Sequence, residues 1–174
     1  MSGRFDPLPN RRAIIDRRKI AVALDERLRA MNDPRAKRAE IARTLKVAVE
    51  AGRREVSARL AKNPRRGREP VVAQAFLTDQ FIRILYDMNV KHVFPINNPT
   101  LAERVAVIAV GGYGRGEMAP FSDIDIGFIT PYKPSPWTEQ IIESMLYAFW
   151  DMGLKVGHSS RSIDETIRMA KSDL

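Results

Sequence analysis

Between Gly111 and Phe128 the chain reads GGYGRGEMAPFSDIDIGF, with two aspartates separated by a single isoleucine. Alternate residues of a β-strand share a face. Asp123 and Asp125 therefore project to one side, about 7 Å apart, and Ile124 and Ile126 to the other. Two carboxylates at that spacing repel unless a cation lies between them. A hard divalent ion, Mg²⁺ above all, suits such a pair and bridges it to substrate phosphates. Ions held in this way serve in-line phosphoryl or nucleotidyl transfer. Gly111 and Gly112 allow backbone N–H groups to approach a triphosphate without side-chain obstruction. Arg115 can neutralise a phosphate and Ser122 can donate a hydrogen bond to one. The expectation is a catalytic, metal-binding pair, Asp123 and Asp125, beside a nucleotide cradle of Gly111, Gly112, Arg115 and Ser122.

Two better-known phosphate motifs fit the glycines less well. Gly111 to Gly116 has P-loop spacing, but Glu117 stands where a lysine and then a hydroxyl are needed. Gly114-x-Gly116-x-x-Ala119 has dinucleotide-fingerprint spacing, but Pro120 and the following strand leave no room for the crossover helix. The bland alternative is a glycine-rich turn with an exposed Ser-Asp. A bare D-x-D carries little information. What favours chemistry is the context of a strand, a double glycine and a second strand bearing the acids.

Those strands belong to the second half of the chain. Residues 105–110, VAVIAV, form a continuous run suited to a buried strand, and 124–129 alternate as a second. Residues 137–152 carry Ile141, Ile142, Met145, Leu146, Phe149 and Trp150 at helical spacing, with Gly153 as the residue that ends the helix. Residues 154–159 read as a third strand, and Ser162-Ile163-Asp164-Glu165 as a capping box opening a last helix. Upstream, residues 1–12 read as irregular and a helical pattern starts near Ile14. Asp33-Pro34 marks a helix start, after which Ile41, Leu45, Val49, Val56 and Leu60 trace one apolar face ending at Asn63-Pro64. A basic link at 65–70 precedes a helix over 71–88 with Phe76, Phe81, Leu85 and Met88 inward. The whole is α/β (α+β): a small mixed sheet flanked by helices over 70–174, preceded by a basic helical segment over 1–69.

Hydrophobic content of 44% with 29% charged residues describes a globular chain able to bury a core. With no cysteine, disulfides and thiolate metal sites are excluded. The N-terminus lacks the pattern of a signal peptide and no apolar run is long enough to cross a bilayer, so a cytoplasmic protein is expected, without membrane contact. The net charge of +8 is unevenly placed: residues 1–70 carry +11 and residues 71–174 carry −3. A basic arm can contact polyanions or present a solvated helix face, and the second is preferred. A helix-turn-helix is disfavoured because the helices and their basic link are long. Specific nucleic-acid binding is not expected.

The stretch resembles the nucleotidyltransferase signature of the polymerase-β superfamily, a Gly-Gly followed by an acidic hDhDh strand. More closely, VAVIAVGGYGRGEMAPFSDIDIGFI, with its continuation GLKVGHSSRSIDETIRMAKSDL, is similar to the N-terminal domain of the bacterial PII uridylyltransferase/uridylyl-removing family. The resemblance covers about residues 70–174 and implies Mg²⁺-dependent transfer of UMP from UTP to a tyrosine of the PII nitrogen-regulatory protein. It also implies a phosphohydrolase domain that removes UMP and two glutamine-sensing domains. Neither fits in this length, so a fragment of a longer enzyme is expected. The superfamily usually adds a third carboxylate from a later strand, and LKVGHSS has none, placing that acid beyond Leu174. His158 and Arg161 could touch the nucleotide or be ordinary polar and surface residues, and Asp164 and Glu165 are read as helix caps. The runner-up readings are transfer of another nucleotide or to another acceptor, and a non-catalytic nucleotide-binding or basic nucleic-acid-binding module.

Overall fold

The computed structural model describes residues 8–172. Part of the irregular stretch at 1–12 and the chain end at Leu174 lie outside the described residues. From Leu8 onward the N-terminus is ordered by burial: Leu8 is buried, and Arg59 donates from its two terminal nitrogens to the carbonyls of Pro9 and Asn10.

Helix α1 (Arg11–Ile14) is a single turn, separated by Ile15 and Asp16 from α2 (Arg17–Arg29), which Asp16 caps. The expected start near Ile14 thus resolves into two helices. Asp33 opens α3 (Pro34–Lys62), its carboxylate accepting from the N–H groups of Arg35 and Ala36 while Pro34 takes the first turn. Its buried stripe is Ile41, Leu45, Val49 and Val56. Leu60, expected inside, is 37% exposed, while its neighbour Arg59 is the residue that turns toward Pro9 and Asn10. Helix α4 (Arg68–Met88) begins three residues earlier than expected and continues into a π-helical turn, Asn89–Val93. Buried Asn89 donates to the Leu85 carbonyl and accepts from the Ser144 hydroxyl, which satisfies its polar groups.

Strand β1 (Ala106–Ala109) leads into the short helical turn α5 (Gly111–Gly114), then a loop, then β2 (Ile124–Thr130). Helix α6 (Pro136–Asp151), capped by Ser135, crosses to β3 (Val156–Ser162), and α7 (Ile163–Ser172) follows. The strand order is β1-β2-β3, antiparallel then parallel. A parallel neighbour needs a crossover connection, and α6 supplies it. Gly153, with φ of 72°, ends α6 as expected.

Ile124, Ile126 and Phe128 send their side chains into one core that also holds Phe81 of α4 and Phe149 of α6, two rings meeting edge to face at 6.2 Å. That cluster also takes in Ile14, Leu24 and Leu45, so the N-terminal helices and the sheet share one interior. The opposite sheet face is open. Here β1 departs from expectation: it is not buried on both sides. Ile108 is 42% exposed and Val110 44%, because the outer face of the sheet is uncovered there and only Val107 and Ala109 turn inward. Trp150 is likewise 53% exposed, sitting beside Tyr147 on the outer side of α6.

Candidate active site

The open face collects the chemistry. Asp125 lies on it, exposed, one residue into β2, while its neighbours Ile124 and Ile126 are buried on the other side. The alternation that orients Asp125 is therefore anchored by two apolar side chains in the core. A register slip would bury the carboxylate and expose both isoleucines.

Two glycines flank that carboxylate. Gly111, at the start of α5, has φ of 55°, and a Cβ placed there would fall 3.1 Å from Asp125 Oδ2. Gly157 is the register partner of Asp125 across the parallel β2–β3 pair. A Cβ on Gly157 would fall 2.6 Å from Asp125 Oδ1, closer than atoms can approach. Both oxygens are thus bordered by bare backbone, on one side from the turn after β1 and on the other from β3. The backbone of Val110, donating to the Asp125 carbonyl at 3.0 Å, fixes the turn to the strand.

The turn itself is tightly closed. The Arg115 N–H donates to the carbonyls of Gly111 and Gly112, and the Glu117 N–H to Gly112. A Cβ on Gly112 would meet the Glu117 carbonyl at 2.9 Å, so Gly112 is required for turn closure, whatever ligand its N–H meets. The Arg115 guanidinium folds back over this turn, its Nη2 lying 3.8 Å from the same Cβ position. Buried Tyr113 and Met118 seat the segment in the core, and the Met118 N–H reaches the Val71 carbonyl near the start of α4. Ser122 and Asp123 stand exposed on the last residues of the loop, Asp123 immediately before the strand.

The remaining polar candidates are dispersed. His158 pairs in register with Ile126, so it lies on the side of the sheet away from Asp125, and it is exposed there at the β3 edge. Arg161 is on Asp125's side but opposite Ile129, four residues further along β3 than Gly157. Glu165 accepts from the Ser162 N–H at 2.8 Å while its own N–H donates to the Ser162 hydroxyl at 3.2 Å, the expected capping box. No third carboxylate or histidine joins Asp123 and Asp125 in a metal-binding group among the described residues. The donor set is therefore two exposed carboxylates beside a closed glycine turn. That set suits a hard cation whose other ligands are phosphate oxygens and water.

Residues 97–152, from just before β1 to just beyond α6, match the family model of the nucleotidyltransferase domain. The chain carries a nucleotidyltransferase domain. Its sequence is 51% identical over 167 residues to the bifunctional uridylyltransferase/uridylyl-removing enzyme of Novosphingobium aromaticivorans, covering 96% of this chain and 18% of that protein. The enzyme of the same description from Erythrobacter litoralis is 47% identical over 170 residues, with 97% and 18% covered. That from Azospirillum brasilense is 46% identical over 168 residues, with 96% and 18% covered. The chain thus spans less than a fifth of the length of these relatives. No solved structure matches it. The nucleotidyltransferase domain is the part of the chain that holds the glycine turn, Asp123 and Asp125. The similarity to the uridylyltransferases also takes in the basic helices, which are joined to the domain through a common core. No described helix is long and apolar enough to cross a membrane.

What the sequence did not reveal is the second border of the site. Gly157 stood out only as a missing acid, because its relation to Asp125 depends on strand pairing. Arg53 of α3 also lies over the Phe121 ring in the loop before Asp123, an approach that no short-range pattern reports.

Proposed function

We propose that this domain, in a cytoplasmic protein, transfers UMP from UTP to a tyrosine hydroxyl of the PII nitrogen-regulatory protein, with Mg²⁺ as the metal. The observation that carries the reading is the Asp125 carboxylate on an open sheet face, with glycine backbone on both sides and exposed Asp123 two residues earlier in the chain. The uridylyl group is the one for which the relatives are named, and the protein acceptor follows from the family resemblance.

In this mechanism Gly111 and Gly112 border the phosphates, Arg115 offsets their charge from above the turn, and Ser122 donates to a non-bridging oxygen. Asp123 and Asp125 would hold Mg²⁺, which when bound neutralises charge on the triphosphate and favours the attacking oxygen as its anion. The tyrosine oxygen attacks the α-phosphorus, the bond from that phosphorus to the bridging oxygen breaks, and pyrophosphate leaves. The hydroxyl proton passes to a base, a role open to an aspartate at the site. The lack of side chains at Gly111 and Gly157 leaves Asp125 free to adopt the orientation the metal needs.

The basic helices act as scaffold in this reading. Arg27 of α2 pairs with Glu40 of α3, Arg43 with the same carboxylate, Arg29 with Asp25 and Arg59 with Glu55, so four of the segment's basic side chains serve the helices themselves.

The test is incubation of the full chain with α-labelled UTP, Mg²⁺ and PII protein, scoring label on PII. Incorporation that requires Mg²⁺ supports the reading. Label from ATP but not UTP would assign a different nucleotide, and Mg²⁺-dependent nucleotide binding without any transfer would make the domain a sensor.

A further inference from the structure

At 81% exposure Phe121 is the most open large apolar side chain among the described residues. Its φ of 67° lies in the left-handed region, where a bulky side chain is an outlier. One face of its ring is met by Arg53 of α3, whose Cζ lies 5.9 Å from the centroid. Arg53 is half-buried, and its Nε is enclosed without a hydrogen-bond partner among the described residues. Apart from the cation–π contact, these features do not help the fold. The ring buries little, the backbone conformation is unfavourable, and an unpartnered buried donor is costly. Unfavourable local features that persist together point to function.

Their location says which function. Phe121 immediately precedes Ser122 and stands two residues before Asp123, so its Cα lies at most about 7 Å from that of Asp123. A base linked through ribose to a phosphate bound at the aspartates lies within reach of the ring. We infer that Phe121 is the stacking platform for the nucleobase of the bound nucleotide, and that Arg53, lying against the opposite face, positions the ring. The inference rests on the nucleotidyl-transfer reading and adds a contact to the nucleoside. It also gives the basic helix α3 a part in the site. Every base has a π-face, so the platform discriminates nucleotides from bare polyphosphate rather than one base from another.

The experiment compares the binding of Mg·UTP and Mg·tripolyphosphate by calorimetry in the full chain. Phe121→Ala is expected to weaken UTP about tenfold or more, in line with the usual worth of base–aromatic stacking, and to leave tripolyphosphate unchanged. Because Phe121 is exposed, the variant should melt where the parent does. Phe121→Trp should keep UTP affinity and show indole quenching by UTP but not by tripolyphosphate. Arg53→Ala should weaken UTP selectively, by less than Phe121→Ala. Equal UTP affinity in Phe121→Ala and parent overturns the platform, as does a parent that binds UTP no better than tripolyphosphate. Asp125→Asn separates the two readings. If it weakens both ligands while Phe121→Ala changes neither, the platform alone fails. If it changes neither while Phe121→Ala weakens UTP, the platform stands and the metal assignment fails.

Discussion

Gly157 of β3 faces Asp125 of β2 across a parallel pair, and a Cβ on Gly157 would stand 2.6 Å from Asp125 Oδ1. The space that the carboxylate occupies exists because residue 157 has no side chain. Gly157→Ala must rotate Asp125 away or spread β2 from β3. Displacing a catalytic group by about 1 Å can cost on the order of 10²-fold in rate. The expected outcome is a fall in UMP incorporation of that size with an unchanged circular dichroism spectrum. Near-parental transfer by the folded variant would show that Asp125 does not act from the position seen here.

Asp125→Asn keeps the shape of the side chain and removes its charge. Transfer should fall by about 10²–10³-fold, the loss typical of removing one preorganised electrostatic contact. Melting temperature should change little, because Asp125 is exposed. A folded Asp125→Asn protein that still transfers UMP near the parental rate would refute the metal assignment. Read with Gly157→Ala, the variant separates loss of charge from loss of position.

Gly112→Val sets a branched Cβ against the Glu117 carbonyl, 2.9 Å from where the Cβ must sit. The turn over Gly111–Gly116 should open, carrying the Arg115 guanidinium with it. UTP affinity is expected to drop about tenfold or more, measured by calorimetry, together with faster amide exchange at Arg115 and Glu117, whose N–H groups close the turn. Weaker UTP binding with unchanged exchange would instead mean that Gly112 meets the phosphate directly and the turn tolerates the side chain.

Gly52→Ala tests the seat of α3. On an exposed helix this change would stabilise by about 1 kcal/mol. Here a Cβ would lie 2.5 Å from Leu77 Cδ1 on α4 and 2.8 Å from the Ile14 carbonyl. Overpacking of this kind costs about 1–3 kcal/mol, so chemical denaturation should show net destabilisation. An increase in stability would mean that α1 and α4 yield to the methyl group.

The Ser162–Glu165 box gives α7 a pH dependence. Hydrogen bonds from the Ser162 N–H, and then from its hydroxyl, hold the Glu165 carboxyl below its ordinary value of 4.5. A depressed folded value means that the cap's contribution is fully present above the unfolded value. It is lost as the pH falls through the folded one. Cleavage within α7 by an acid-active protease should therefore rise below about pH 4.5, and Glu165→Gln should remove most of that pH dependence. Identical profiles in parent and variant would show that the box does not hold the helix.

Much of the architecture was legible because its causes are local. Asp33-Pro34, Gly153 and Ser162 with Glu165 each specify a helix end within a few residues, through a hydrogen bond or a backbone angle that nearby chain provides. The D-I-D alternation likewise put Asp125 on the side opposite Ile124 and Ile126 without reference to the rest of the molecule. The tertiary structure decided what depends on residues remote in sequence. Strand pairing through the α6 crossover brought Gly157 to Asp125 and turned His158 toward the Ile126 side. The uncovered outer face of the sheet exposed Ile108 and Val110, which an apolar run alone suggests are buried. The packing of α3 on α4 carried Arg53 to Phe121. Periodicity and capping are written in neighbours a few residues apart, whereas register and helix docking are set by the whole core settling at once, and no short stretch of sequence contains that information.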